Sequence, residues 1–162
     1  MSTGHRVWRF GAEIDTDQLA PGAYMKLGIE GIAPHCLEAV RPEFASSVQP
    51  GDVIAAGPGF GIGSSREQAA AALVHLGVRA VIAPSFSGLF FRNAFNLGLL
   101  LLTCRDAEQL QDGEIVGLDL ERREVCTAAG RPLACEPIPD FLLDMVQAGG
   151  LMNQLRRKLQ SP

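Results

Sequence analysis

Apolar residues in the middle of the chain occur in short runs separated by turns that contain glycine or proline. Runs of strand length lie at residues 53–56, 78–83 and 99–103, and the segments between them, 69–76 and 86–96, have the apolar content of buried helices. Strand, helix, strand, helix, strand with short connections is typical of parallel strands joined by right-handed crossovers. The pattern therefore predicts an α/β fold with a parallel βαβαβ core.

Smaller elements are expected on either side of this core. Residues 6–10 supply bulky side chains that favour β-structure, and they predict an N-terminal strand. Residues 113–120 and 122–127 predict a small antiparallel hairpin around a polar turn. Residues 140–159 predict a helix that Gly149-Gly150 interrupts.

The composition is that of one folded domain without a nucleic-acid or membrane partner. Of the 162 residues, 47% are hydrophobic and 20% are charged, so we expect a single domain over residues 1–162. The net charge is −4 and basic residues cluster only at 156–158, which argues against nucleic acid as a partner. The apolar run at 97–102 is too short to span a bilayer, and the first ten residues lack the apolar segment of a signal peptide. These features predict a cytoplasmic protein.

The cysteines carry no signature of a metal site. Cys36, Cys104, Cys126 and Cys135 form no C-x-x-C pair, and no histidine lies near them at ligand spacing. A domain of this size needs no disulfide to support its core. We therefore interpret the cysteines as reduced and mostly structural, and we expect no metal site made by this chain alone.

A glycine-rich turn at residues 57–63 leads into the first predicted helix and is the best candidate for chemistry. The N-terminus of a helix presents unpaired N–H groups and partial positive charge to an anion. Nucleotide-binding patterns do not fit, because no lysine precedes Ser64 and because G-x-G-x-x-G counted from Gly59 places Ser64 where its last glycine belongs. Ser64 with Glu67 instead matches the S-x-x-E capping box of a helix start.

The residues that follow this turn, Ser64-Ser65-Arg66, favour a small carboxylic acid as ligand. A guanidinium binds a carboxylate through two parallel hydrogen bonds, and glycines such as Gly61 and Gly63 allow close approach of the backbone. The alternative interpretation is that the serines only cap the helix and that Arg66 forms a surface ion pair. Capping requires one serine, however, and does not account for the second hydroxyl or for the alternating glycines.

Separated motifs in this order resemble the swivelling domain of the aconitase superfamily, and most closely the separate small subunits of 3-isopropylmalate dehydratase and its homoaconitase-like relatives. The resemblance covers nearly the whole chain and implies a compact swivelling β/β/α domain. The motifs that carry it are GFGIGSSREQA at 59–69, GVRAVIA at 77–83, Ser85-Phe86, Arg92-Asn93, Gly98-Leu99, Phe10-Gly11, Ile14-Asp15-Thr16-Asp17, Pro42-Glu43-Phe44, Pro50-Gly51-Asp52, Gly149-Gly150-Leu151 and Arg156-Arg157-Lys158.

The resemblance implies a hydro-lyase that interconverts 2-hydroxy and 3-hydroxy acids. In this family a large partner subunit carries a [4Fe-4S] cluster, and the two subunits form a heterodimer or heterotetramer. By resemblance Ser64 is the catalytic base, and Ser65 and Arg66 bind the substrate. The first expectation is 3-isopropylmalate dehydratase of leucine biosynthesis. The alternatives are homoaconitase, a 2,3-dimethylmalate-type dehydratase, or a carboxylate-binding module without chemistry.

Two further residues enter through the resemblance. Asp17 aligns with an acidic active-site residue of the family, although an Asx turn explains it equally well. Substrate choice in the family is attributed to the short loop after Pro21-Gly22, where Lys26 occupies the third position of Tyr-Met-Lys. A cation there suits a substrate with an additional carboxylate better than one with an isopropyl group. A solvated lysine without a role is the alternative.

Overall fold

The computed structural model describes residues 2–160 as one curled sheet with helices packed around it. The strands are β1 (Ser2–Arg9), β2 (Val53–Ala55), β3 (Ala80–Ala83), β4 (Leu100–Thr103), β5 (Ile115–Asp119), β6 (Glu124–Cys126) and β7 (Pro132–Ala134). The α-helices are α1 (Thr16–Leu19), α2 (Gly28–Ile32), α3 (Phe44–Ser47), α4 (Gln68–His75), α5 (Gly88–Asn96), α6 (Asp140–Ala148) and α7 (Leu151–Gln160). Short 3-10 helices cover Gly22–Leu27, Ala33–His35 and Ala107–Gln109.

Strands β1 to β4 form the parallel half of the sheet, in the order β4-β3-β2-β1. All of β2 and β3 and most of β4 are buried, which explains why they appear in the sequence as continuous apolar runs. Helix α4 connects β2 to β3 and helix α5 connects β3 to β4, so the predicted βαβαβ core is confirmed. Strand β1 adds a fourth parallel strand and begins at Ser2, earlier than predicted.

Strands β5 to β7 form the antiparallel half. Strand β5 pairs with β1, β6 with β5, and β7 with β6. The predicted hairpin corresponds to β5 and β6 and is confirmed. Strand β7 lies outside the predicted elements because it is only three residues long and begins with Pro132, which has no N–H for the ladder.

The two outermost strands of the sheet meet through the residues that follow them. Cys104, after β4, and Cys135, after β7, form an isolated antiparallel bridge. Next to them the Glu136 N–H donates to the Thr103 carbonyl at 2.9 Å. Because β4 and β7 are the two ends of the strand order, this contact curls the sheet back on itself and covers edges that are otherwise open to pairing with another chain.

A cluster around Trp8 fixes the start of β2 against β1. The buried Trp8 ring packs edge-to-face on Phe44, with centroids 5.2 Å apart, and its Nε1–H donates to the Asp52 carboxylate at 2.9 Å. The Gln49 N–H donates to the same Asp52 oxygen at 2.9 Å. Since Asp52 is itself buried, these bonds satisfy a carboxylate that would otherwise be expensive to remove from water.

The C-terminal part consists of two helices. Gly149 adopts a left-handed conformation, φ 84°, that ends α6, and Gly150 has φ 116°. The predicted interruption at Gly149-Gly150 is therefore confirmed. Over residues 2–160 no helix combines the length and the apolar character that crossing a bilayer requires.

Candidate functional site

The glycine-rich turn after β2 lies against the segment that follows β1. The Gly61 N–H donates to the Ile14 carbonyl at 2.7 Å, and the Thr16 N–H donates to the Ile62 carbonyl at 2.8 Å. Asp15 and Ile62 form a parallel bridge between the two segments. These backbone contacts place the residues after Ile62 beside helix α1.

Two glycines of the turn permit close contacts inside the protein. Gly61 has φ 86°, and a Cβ there would lie 2.3 Å from the ring of Phe90, a buried residue of α5. Gly63 has φ 114°, and a Cβ there would lie 2.7 Å from the Thr16 Oγ1. Larger residues at these positions would therefore push the turn away from α5 and from α1.

The prediction that Ser64 and Glu67 form a capping box is wrong. Helix α4 begins at Gln68, and Glu67 occupies the N-cap position without a side-chain capping bond. Ser64 lies three residues before this N-cap, in the loop that precedes the helix, where its N–H donates to the Thr16 Oγ1 at 3.1 Å. The described capping box lies instead at α1, where the Asp15 carboxylate accepts from the Gln18 N–H and the Gln18 side chain accepts from the Asp15 N–H. The interpretation of the serines as mere helix caps is thereby removed.

The serine pair is held by its backbone and remains at the surface. Ser64 and Ser65 are both exposed. The Asn93 Nδ2 of α5 donates to the Ser65 carbonyl at 3.1 Å, and the Ser64 Oγ lies 3.3 Å from the Thr16 Oγ1. Contacts from α1 and α5 therefore hold the backbone of the pair, and both serines remain exposed to a ligand.

Arg66 is partly buried and is fixed by one of its nitrogens. Its Nη1 donates to the Ala20 carbonyl at 2.8 Å and to the Asp17 carboxylate at 3.2 Å, and its side chain is 23% exposed. A guanidinium has five N–H donors. Within residues 2–160, Nε and Nη2 of Arg66 have no hydrogen-bond partner, so the group retains donors for a carboxylate.

Asp17 lies beside Arg66, and its role in the loop is now visible. Its carboxylate accepts from the Gly22 N–H at 2.9 Å as well as from Arg66. The pKa of the Asp17 carboxyl lies below its ordinary value. The hydrogen bond from the Gly22 N–H is the larger cause, and the hydrogen bond from Arg66 is the next. Asp17 therefore carries its negative charge throughout the neutral pH range, and the turn-forming and the site interpretations both fit its contacts.

Lys26 is not brought into contact with the serine loop. It is exposed in the last turn of the 3-10 helix Gly22–Leu27, and no hydrogen bond or ion pair joins it to the described residues. The link between this helix and the site is the bond from Gly22 to Asp17. A role of Lys26 toward a ligand stays a prediction.

Thr16 is the site residue that sequence reasoning missed. Thr16 is 3% exposed. Its Oγ1 contacts both the Oγ and the backbone N–H of Ser64. The only sequence signal was its place between the two acids of Ile14-Asp15-Thr16-Asp17, where a threonine reads as an ordinary turn residue.

The described residues offer no cradle for a metal or a cluster. No three side chains of His, Cys, Asp or Glu gather within residues 2–160. Cys36 and Cys104 are buried and Cys126 and Cys135 are partly buried, all as free thiols. Burial raises the pKa of the Cys36 thiol, which disfavours the thiolate that a metal would require.

Comparison with known proteins defines the class of the chain. A family model described as the aconitase C-terminal domain matches residues 42–107. The methanogen homoaconitase small subunit of Methanothermobacter thermautotrophicus is 43% identical over 96% of this chain and 92% of its own. The 3-isopropylmalate dehydratase small subunit 1 of Archaeoglobus fulgidus is 42% identical over 91% of this chain and 92% of its own. The crystal structure of 3-isopropylmalate dehydratase from Methanocaldococcus jannaschii matches with a TM-score of 0.90 at 38% identity, covering 97% of this chain and 94% of that one.

The fold is thus the swivelling domain of the aconitase superfamily. At these identities and coverages, the chain belongs to the family of 3-isopropylmalate dehydratase and homoaconitase small subunits. The resemblance inferred from the separated motifs is confirmed.

Replacing Gly61 tests the packing of the turn on α5. Gly61→Ala is expected to lower the free energy of unfolding by about 3 kcal/mol, because left-handed backbone costs an L-residue ~1–2 kcal/mol and overpacking costs ~1–3 kcal/mol. Gly130→Ala is the matched control, since Gly130 has φ 83° but nothing within 4 Å of its added Cβ. Urea unfolding followed by circular dichroism measures both. Equal losses for the two variants would contradict the close contact with Phe90.

The hydrogen bonds of Asp17 are tested by titration. In Arg66→Gln the pKa of the Asp17 carboxyl is expected to rise, yet to stay below its ordinary value because the Gly22 N–H remains as the larger cause. Carbon-detected NMR of the labelled carboxyl measures the change. Arg92→Gln, at an exposed arginine of α5, is the control and should leave the titration unaltered. An unchanged Asp17 titration in Arg66→Gln would refute the ion pair.

Proposed function

We propose that this chain is the small subunit of a heteromeric [4Fe-4S] hydro-lyase, 3-isopropylmalate dehydratase, which isomerises 2- and 3-isopropylmalate in leucine biosynthesis. The observation that carries the proposal is the display of two exposed hydroxyls, Ser64 and Ser65, next to the anchored guanidinium of Arg66. Membership in a family of subunits named for this activity supports it.

The chain's contribution begins with the substrate carboxylate. Arg66 has donors at Nε and Nη2 that are not used by Ala20 or Asp17, and the two bonds at Nη1 hold the plane of the guanidinium. A planar, pre-oriented fork binds a carboxylate with defined geometry and loses little side-chain entropy on binding. The Ser65 hydroxyl is exposed at the adjacent position and can donate a further hydrogen bond.

Ser64 is proposed as the general base. Its Oγ removes the proton from the carbon next to a carboxylate, and returns a proton in the reverse direction. A free serine hydroxyl is a poor base, so the site must stabilise the ionised Oγ relative to solution. The positive charge of Arg66, two residues later in the chain, favours the ionised Oγ.

The cluster and the remaining machinery are assigned to a large partner subunit, in a heterodimer or heterotetramer. In this proposal the present chain supplies the base, Ser64, and the carboxylate donors, Ser65 and Arg66. When bound to its partner, the cluster supplies the Lewis acid for the leaving hydroxyl. The small subunit alone is therefore expected to be inactive.

A second candidate, homoaconitase, is favoured by one specific feature. The loop that follows Pro21 presents the exposed cation Lys26, and a cation suits a substrate that has an additional carboxylate. The homoaconitase small subunit at 43% identity is consistent with it. The substrate of a 2,3-dimethylmalate-type dehydratase has no additional carboxylate that Lys26 could bind.

Removal of the proposed base tests the function. With the large subunit present, Ser64→Ala is expected to lower kcat by about 10³-fold, within the range for loss of a general base. The assay measures hydration of the unsaturated intermediate, which is detected as a decrease in its ultraviolet absorbance. Ser46→Ala, at an exposed serine of α3, is the matched control and should retain full activity. Full activity of Ser64→Ala, or ligand binding by the isolated chain without any turnover in the complex, would refute the enzyme proposal.

Lys26 tests the choice of substrate. In Lys26→Leu the ratio of kcat/KM for homoaconitate to kcat/KM for isopropylmalate is expected to fall about tenfold or more, because a charge-assisted hydrogen bond contributes roughly 1.5–3 kcal/mol. Lys158→Leu, at the exposed lysine of α7, serves as control and should leave the ratio unchanged. Competition between the two substrates in one assay measures the ratio directly. An unchanged ratio in Lys26→Leu would refute the hypothesis that Lys26 selects a homoaconitase substrate.

A further inference from the structure

Thr16 makes two contacts with Ser64 from a buried position. It is the first residue of α1, and its side chain is almost fully removed from solvent. The Ser64 N–H donates to the Thr16 Oγ1 at 3.1 Å, and the Oγ atoms of the two residues are 3.3 Å apart. Ser64 is itself exposed, so the pair spans from the interior to the surface at the point where the ligand is expected.

The hydrogens of this pair can be assigned by counting donors and acceptors. A hydroxyl has one hydrogen and two lone pairs, and the Thr16 oxygen uses a lone pair to accept from the Ser64 N–H. The Thr16 hydrogen needs an acceptor because the group is buried. Among the described residues its one hydrogen-bonding partner besides that N–H is the Ser64 Oγ. Thr16 therefore donates, and the hydrogen of Ser64 is directed away from Thr16.

We propose that Thr16 is a positioning residue for Ser64, donating its hydroxyl hydrogen to the Ser64 Oγ and so stabilising that oxygen when it is ionised. The inference rests on the proposed function, in which Ser64 is the base. On ionisation the bond from Thr16 becomes charge-assisted and shortens, which makes it stronger than in the neutral pair.

The surroundings of Thr16 hold it in place for this role. Its N–H donates to the Ile62 carbonyl at 2.8 Å, and its carbonyl accepts from the Ala20 N–H at 2.9 Å. Gly63, the neighbour of Ser64, leaves room for the approach, since a Cβ there would lie 2.7 Å from the Thr16 Oγ1. A buried donor in a low-dielectric environment needs no reorganisation when charge develops on its partner.

A purely structural role for Thr16 makes different predictions. In that case Thr16 would only tie the loop to α1 through the Ser64 N–H, and its loss would affect folding or binding without changing the proton affinity of Ser64. The two roles are separated by the pH dependence of kcat, because the donated bond is stronger to the ionised Oγ than to the neutral hydroxyl and so changes the ionisation of Ser64.

The test uses the complex with the large subunit and three variants at one position. Thr16→Val, similar in shape but without a hydroxyl, is expected to lower kcat about 10²-fold with KM changed less than about twofold, as for loss of one donor to a developing oxyanion. The acidic limb of the kcat profile should move to higher pH by about one unit or more, because the base becomes harder to ionise. Thr16→Ser, which keeps the hydroxyl, should restore both kcat and the profile.

A graded variant keeps the test decisive if Thr16→Val does not fold. Thr16→Cys keeps a weaker hydrogen-bond donor. Its kcat, and the pH of the acidic limb of its kcat profile, are expected to lie between those of Thr16→Val and those of the wild type and Thr16→Ser. An unshifted acidic limb in Thr16→Cys and Thr16→Val, or a Thr16→Ser variant no better than Thr16→Val, would overturn the inference. Normal Thr16→Val activity beside an inactive Ser64→Ala would overturn this inference alone, whereas an active Ser64→Ala would overturn the proposed function and this inference with it.

Discussion

The candidate site depends on pairing between two chain segments that continues past the ends of their strands. Strands β1 and β2 run parallel, with Arg9 opposite Ala55, so the segments after them leave the same edge of the sheet. Backbone bonds then connect these segments in succession: Phe10 to Ala55, Gly57 to Gly11, Glu13 to Pro58, Gly61 to Ile14 and Thr16 to Ile62, all between 2.7 and 3.0 Å. This extended pairing brings together groups 48 positions apart, as it does Thr16 and Ser64.

The elements that could be predicted from sequence are those with a local signal. The runs that became β2, β3 and β4 are apolar because both of their faces are buried, and a run of this kind is visible without knowledge of its partners. The break at Gly149-Gly150 is equally local, since left-handed backbone favours glycine. Strand β7 has no such signal, because three residues that begin with proline become a strand only through pairing with β6.

In the site, too, the residues with a local sequence signal could be predicted and the contacts between distant segments could not. Ser64, Ser65 and Arg66 were found because their motif is contiguous, and Asp17 because it lies in a second motif. Their arrangement was not predictable, since the local S-x-x-E pattern indicated a helix cap at Ser64 while the structure binds the Ser64 N–H to a threonine of another segment. A capping preference is worth about 1 kcal/mol, so tertiary contacts of similar strength readily override it. Thr16 could not be singled out, because its role is a contact across the fold and not a property of its neighbours.

The electrostatics of the site agree with the proposal that this subunit acts together with a partner. Arg66 is anchored by Asp17 and by the Ala20 carbonyl through a single nitrogen, so its charge is partly balanced while donors remain for an incoming carboxylate. The hydroxyls beside it offer hydrogen bonds and a site for a proton, but elimination of a hydroxyl also requires an electron-pair acceptor for the departing oxygen. The proposal assigns that acceptor to the cluster of the large subunit. Under the proposed function, this surface would bind and deprotonate the acid, and the exposed position of Ser64 and Ser65 leaves room for a second subunit to assist the leaving group.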